Sequence, residues 1–342
     1  YVLYFDHTYP EPTEFLNLPN VRIRHFPFGR YKQYLPFGYS HLLITAELKR
    51  DRLDVFHATA NIIPYGYKRP SVVTVHDLAI YKHPEWFPEG QDFSKKILVP
   101  SSMQRARKII AVSHSTKQDV KKIFGVPDAK VAVVYEGFAK EKRLTKQETQ
   151  QVTNRYKLAP NYVFSIGVIE PRKNLPGLIK AFDAIVNSNW KKWKDWQLVI
   201  AGSKGWKYDA TMCAIKDAKC GSCIRYIGYV SHEEKVALMS GAKVFAFPSL
   251  WEGFGLPVLE AMGMGVPVIS SDVSAIPEVS QGAALLVNPK KTFEIQAGLK
   301  ELMTSPDRRK ELSELGKVRA KSFSWTEAAR ETLQIYAQVY KT

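Results

Sequence analysis

This chain of 342 residues has three cysteines, Cys213, Cys220 and Cys223. That scarcity excludes a disulfide-stapled scaffold and points to a reducing compartment, hence a cytoplasmic location. Cys220 and Cys223 form one Cys-x-x-Cys, with His232 nine residues further on. Zinc fingers need a second pair at finger spacing, so the thiols are read as small buried or surface groups and no metal site is assigned. No apolar run approaches the ~20 residues needed to span a bilayer. A secretory leader is not expected either, because the apolar run Tyr1–Phe5 closes at Asp6 and reads as a strand. The opening also lacks glycine: His7-Thr-Tyr-Pro10 follows the first strand, and the first glycine is Gly29.

What the chain has in excess is positive charge, +16 in all, within an otherwise ordinary composition of 45% hydrophobic and 24% charged residues. Residues 101–146 hold eleven Lys and Arg against four Asp and Glu, among them Arg105, Arg107, Lys108, Lys117, Lys121 and Lys122. Most such runs are solvated helical faces. As a binding surface the run suits anionic lipid better than nucleic acid, for which no recognition motif is present. A phosphate-bearing substrate would need only a few of these charges.

Apolar runs alternate with segments of helical length. In the first half the expected strands are Tyr1–Phe5, Val21–Phe26, Asp54–His57, Val72–His76, Lys108–Val112 and Val131–Tyr135, with helices such as Tyr39–Lys49 and Ser115–Phe124. The polar segment Lys140–Asn154 reads as a linker. A second series follows: Val163–Gly167, Gln197–Gly202, Arg225–Gly228, Val244–Phe247, Val266–Ser270 and Ala284–Val287. Ser231 to Glu234 and Ser324 to Glu327 have capping-box spacing, and Pro306 marks another helix start. The expected architecture is α/β, with two doubly wound Rossmann-like domains facing across a cleft. Their expected bounds are 1–145 and 146–322, with a closing helix, 323–342, crossing back to the first domain.

The most informative string is Glu252-Gly253-Phe254-Gly255-Leu256-Pro257, running on to Glu260. It joins an apolar strand to a helix through two glycines, and Pro257 suits a first helical turn. Backbone N–H groups at the positive end of a helix dipole make an anion site. Two carboxylates beside it fit a ligand that carries hydroxyls as well as phosphate, as sugar nucleotides do. A second string, Ser165 to Asn174, carries Arg172-Lys173 after a strand ending at Gly167. A planar fork next to a compact cation suits a diphosphate, although Arg-Lys pairs in loops are commonly solvated surface. Val75-His76-Asp77-Leu78 ends a strand of the first series. The loop His83 to Pro88 either lines an acceptor site or anchors itself through Trp86 and Phe87. His114 is unassigned.

From about Asp54 to the C-terminus, these motifs resemble retaining glycosyltransferases of the GT-B type, family 4, of mannosyl-transferring kind. The resemblance rests on Glu252 and Glu260 standing eight apart, Arg172-Lys173, and the strand ends at His76-Asp77 and Phe56-His-Ala-Thr59. The first β–glycine loop–α unit of that family has no counterpart in the opening residues. The resemblance implies transfer of a hexose, with mannose favoured, from a nucleotide diphosphate sugar to a glycan or lipid-linked acceptor. It implies GDP-mannose as donor, with a UDP-hexose as the alternative, no further cofactor, and no metal, since no Asp-x-Asp motif is present. His76, Asp77, Arg172, Lys173 and Glu252 become the expected catalytic residues. Gly167, Arg172, Lys173, Val230, Glu252, Gly253, Phe254, Gly255, Leu256 and Glu260 become the expected donor-binding set. Peripheral contact with the inner face of an anionic membrane fits the basic run. The competing readings are a weakened relative that binds nucleotide sugar without efficient transfer, and a glycoside hydrolase or sugar phosphorylase.

Overall fold

The computed structural model describes residues 1–5, 17–25, 37–139 and 144–341. The glycine-free segment His7–Pro10, Gly29 and the first residues of the expected linker, 140–143, lie outside the described residues. The chain forms two compact units. One comprises Tyr1–Thr74, Asp92–Ile109 and Tyr336–Thr342, the other Val75–Gln91 and Ile110–Ile335.

In the first unit, strands β1 (Val2–Phe5) and β2 (Arg22–His25) pair in parallel. Asp51 gathers the Tyr4 hydroxyl at 2.6 Å and the guanidinia of Arg22 and Arg24 at 2.9 and 2.7 Å. Strand β3 (Phe56–Ala58) pairs in parallel with β4 (Ser71–Val75). The order β3-β4-β5-β6 is completed by β5 (Lys108–Ala111) and by β6 (Val131–Val133), whose residues are counted in the second unit. His57 bridges the hydroxyls of Thr74 and Tyr336 at 2.7 and 2.5 Å. Arg105 donates to the carbonyls of Ile63, Pro64 and Tyr67, which satisfies three acceptors of one loop at once.

The second unit holds a six-stranded sheet of β7 (Asn161–Ile166), β8 (Trp196–Ala201), β9 (Ile224–Tyr226), β10 (Val244–Phe247), β11 (Val268–Ser271) and β12 (Leu285–Val287). Its order is β12-β11-β10-β7-β8-β9, and its pairs are parallel. This is the doubly wound order, whose switch point lies between β7 and β10. Successive side chains of a strand point to opposite faces. Val163, Leu198, Ile200, Val244 and Ala246 therefore enter one core, while Phe164, Val199, Ala201, Phe245 and Phe247 enter the other. The helix Leu175–Ser188 buries Leu178, Ile179, Phe182, Ile185 and Val186, the three-and-four spacing of a single face. Truncating Phe182 to alanine there costs about 3–5 kcal/mol.

All twelve expected strands are present, with ends shifted by at most two residues. Val266–Ser270 becomes Val268–Ser271, since Pro267 has no N–H for a ladder. The expected linker is corrected: Lys146–Arg155 is a helix with a complete capping box between Thr145 and Glu148. It reaches the helix His232–Gly241 through Arg155 and Glu234 at 2.8 Å. Only Thr153 of that helix is buried, so its apolar signal is weak. Ser231 and Glu234 form the expected capping box, and the last helix runs Trp325–Lys341. Among the described residues no helix is long and apolar enough to cross a membrane.

Candidate active site

The site grows from the carboxyl ends of β7 and β10, side by side at the switch point, where α/β sheets bind ligands. Beyond β10 the chain turns into the helix Leu256–Gly263, with Pro257 in its first turn. The two loop glycines serve different ends. Gly255 has φ +102°, a conformation closed to most other residues. Gly253 is required by proximity: a β-carbon there would lie 1.7 Å from the His76 carbonyl oxygen and 2.9 Å from Cβ of Asp77. The Gly253 carbonyl accepts from Ser113 Oγ at 2.7 Å and from Thr116 Oγ1 at 3.2 Å. The N–H groups of Gly253, Phe254, Gly255 and Leu256 have no acceptor among the described residues. Free N–H groups at a helix start are of the kind that can hold an anion.

Glu252 is buried and joins both basic residues of the other string. Its carboxylate accepts from Arg172 Nη1 at 2.9 Å and from Lys173 Nζ at 2.7 Å. Its own N–H donates to Ser274 Oγ at 2.9 Å. Arg172 also donates through Nε and Nη2 to Glu170 at 3.1 and 2.7 Å, and through Nη1 to the Trp251 carbonyl at 3.0 Å. Burial pushes the Glu252 carboxyl up, but the charges of Lys173 and Arg172 more than offset it and hold it below its ordinary value. Burial acts to lower the Arg172 guanidinium, and Glu252 with Glu170 outweighs it, so the group stays firmly charged.

Glu260, one turn into the helix, pairs with Lys235 at 2.8 Å, both partly exposed. Gly167 follows β7 at φ +153°, a conformation that residues with a side chain rarely adopt, and Lys173 would touch a β-carbon placed on it. Val230 is buried in the core ahead of the helix His232–Gly241. His76 is half exposed, with Nδ1 3.0 Å from Glu136. Asp77 accepts from the Ala79 N–H at 3.1 Å, which shapes the turn after β4.

The loop His83–Pro88 is anchored. Trp206 Nε1 donates to the Trp86 carbonyl and Lys207 Nζ to the Glu85 carbonyl, each at 2.7 Å. His83 stacks on Trp86 at 3.9 Å, and Lys82 lies 4.1 Å over the Trp251 ring. His114 and Ser115 donate their N–H groups to Glu278, which also accepts from the Tyr135 hydroxyl. Cys220 and Cys223 are buried free thiols and Cys213 is exposed; among the described residues no group of three metal-ligating side chains is present.

Reasoning from the sequence missed Glu170, Thr116, Ser274 and Lys235. Glu170 stands two residues before Arg172 and was readable as its partner. The other three reach the loop or the helix after it from distant segments and gave no local signal. The separation Gly167 to Gly202 was equally silent, although a β-carbon at Gly202 would lie 1.9 Å from the Gly167 carbonyl oxygen.

The family model for glycosyl transferases group 1 matches residues 146–319, and that for glycosyltransferase family 4 matches residues 2–142. The chain is 30% identical over 290 residues to O-antigen chain mannosyltransferase B of Escherichia coli, covering 84% of this chain and 75% of the relative. It is 27% identical over 294 residues to O-antigen chain mannosyltransferase RfbU of Salmonella typhimurium, covering 85% and 77%. Among solved structures it is similar to sucrose-phosphate synthase from Thermosynechococcus elongatus, with TM-score 0.75 and 19% identity over 99% of this chain and 89% of that one. Anabaena Alr3699/HepE, solved in complex with UDP and glucose, gives TM-score 0.76 and 16% identity over 94% and 88%.

Proposed function

The chain belongs to the glycosyl transferases group 1 family and is a glycosyltransferase of two-domain, Rossmann-like GT-B fold; from that premise we propose that it transfers mannose, with retention and without a metal ion, from GDP-mannose to a glycan or lipid-linked acceptor. The observation that carries the reading is the buried junction of Glu252 with Lys173 and Arg172, beside a helix start with free N–H groups. The mannosyl choice draws on the curated relatives, two of which are named as O-antigen mannosyltransferases.

Breaking a glycosyl–phosphate bond builds negative charge on the diphosphate and positive charge on the sugar. Donors already fixed in place stabilise that charge without reorganising. Lys173 and the N–H groups of Gly253 to Leu256 face the diphosphate and supply the positive charge that a divalent ion supplies in metal-dependent transfer. Glu252 accepts from the sugar's hydroxyls and Glu260 from those of the ribose. His76, half exposed at the end of β4, lies beside the sugar and leaving phosphate, its orientation set by Glu136. Gly167 leaves the space beside Lys173 open to the donor, and Val230 borders the nucleotide. The acceptor attacks from the face the diphosphate leaves, so no protein nucleophile is needed. Lys117, Lys121 and Lys122, on the helix His114–Phe124, support contact with an anionic membrane carrying a lipid-linked acceptor.

The test is transfer of labelled mannose from GDP-mannose to a mannose-terminated glycan in excess EDTA, with UDP-glucose as the competing donor. Product with an α-linkage, seen by NMR and undiminished by EDTA, is expected. Loss of transfer in EDTA, or a product of inverted configuration, would overturn the mechanism. Transfer from UDP-glucose alone would overturn the choice of donor.

A further inference from the structure

We infer that Arg172 and Glu170 are positioning residues: they hold Glu252 and the start of the donor loop in place, while Lys173 alone of the basic pair grips the donor's diphosphate. The inference rests on the nucleotide-sugar reading of the site and divides labour within it.

A guanidinium has five N–H donors in a fixed fork. Protein acceptors take four of those in Arg172: Glu170 receives Nε and Nη2, and Nη1 serves both Glu252 and the Trp251 carbonyl. The Arg172 carbonyl in turn accepts from the Leu250 N–H at 2.8 Å. Side chain and backbone of one residue thus fasten Leu250, Trp251 and Glu252 in succession. Glu170 is 3% exposed and Glu252 7%. Drawing the guanidinium off to a phosphate would take from buried Glu170 the cation it pairs with and leave buried Glu252 to Lys173, which is strongly unfavourable.

Lys173 is placed differently. Its ammonium spends one of three donors on Glu252 and rests 4.8 Å over the Phe247 ring. The remaining two donors meet no acceptor among the described residues, and the neighbouring Gly167 carries no side chain to crowd them. A compact charge with spare donors at the switch point suits a diphosphate; a fork with four of its five donors taken does not.

The experiment is calorimetric titration of the full chain with GDP, UDP and their hexose conjugates, alongside kcat, for wild type, Lys173→Ala, Arg172→Ala and Glu170→Gln. Lys173→Ala is expected to weaken the free nucleotide about tenfold or more, as loss of a charged hydrogen bond does. Arg172→Ala and Glu170→Gln are expected to leave it within about threefold, yet to lower kcat about tenfold and narrow the gap between nucleotide sugar and nucleotide. Glu170→Gln keeps the shape of the side chain, so it decides the matter if Arg172→Ala unfolds by circular dichroism. Two results overturn the inference while the donor site stands. One is a loss of nucleotide affinity in Arg172→Ala equal to that in Lys173→Ala. The other is tighter nucleotide binding in Glu170→Gln, the mark of a guanidinium released to phosphate. Wild type that binds no nucleotide removes the donor site and this inference together.

Discussion

Gly253 and His76 approach so closely that a β-carbon on the glycine would lie 1.7 Å from the histidine's carbonyl oxygen. The loop that carries Glu252 is therefore seated against the turn after β4, and Ser113 and Thr116 fasten it there by donating to the Gly253 carbonyl. One glycine fixes where two expected catalytic segments meet.

Gly253→Ala accordingly forces backbone away from backbone, with no flexible side chain to yield. Overpacking of this kind costs about 1–3 kcal/mol. The expected result is a lowered thermal midpoint and a fall in kcat/KM exceeding the loss of folded protein. Gly255→Ala is expected to destabilise by strain at φ +102° instead. A Gly253→Ala enzyme of unchanged kcat/KM would show that the approach has no bearing on transfer.

Glu260→Ala removes a carboxylate whose pairing with Lys235 is partly exposed and thus worth little to folding. Its value is expected to lie in the ribose contact. Nucleotide-sugar affinity should fall by at least ~1 kcal/mol while the thermal midpoint holds. Equal affinity in wild type and variant, measured by calorimetry, would remove Glu260 from the donor site.

Acid should loosen the donor loop through Glu252. The folded carboxyl lies below its ordinary value of 4.5, because Lys173 and Arg172 outweigh burial. A depressed carboxylate contributes stability that is present above the unfolded value and lost as pH falls through the folded one. The window therefore opens near pH 4.5 and extends downward. Comparing thermal midpoints across that range, wild type should fall more steeply than Glu252→Gln. Parallel curves would mean the carboxylate is not held by its cations.

The three thiols should separate by accessibility. Cys213 is exposed, whereas Cys220 and Cys223 are buried. Burial pushes both buried thiols up, and for Cys220 the neighbouring Asp183 adds to it. Since the thiolate is the reactive form, iodoacetamide near neutral pH should label Cys213 in the native protein and the other two only after denaturation. Mass spectrometry reads the outcome, and rapid native labelling of Cys220 would contradict its burial in the core beside Asp183 of the helix Leu175–Ser188.

Much of this was legible in the residues because it depends on neighbours in sequence. Strands such as Val244–Phe247 announce themselves as short apolar runs, since both faces of a parallel sheet are covered. Ser231 and Glu234 satisfy each other across one turn. The helix Lys146–Arg155 carried the same signal in Thr145 and Glu148, but its exposed polar face made it resemble a linker.

The sequence by itself determined the alternation of strands and helices, the glycine turn into the helix Leu256–Gly263, and the acidic and basic residues near it. Each follows from propensity, period or local hydrogen bonding. Tertiary structure alone decided that Arg172 would spend its donors on Glu170, Trp251 and Glu252, and that Gly253 would be needed for closeness to His76. Those outcomes depend on which strands lie side by side, and in a parallel sheet neighbours such as β7 and β10 are brought together only by long crossovers. No local pattern encodes a contact made across some eighty residues of chain.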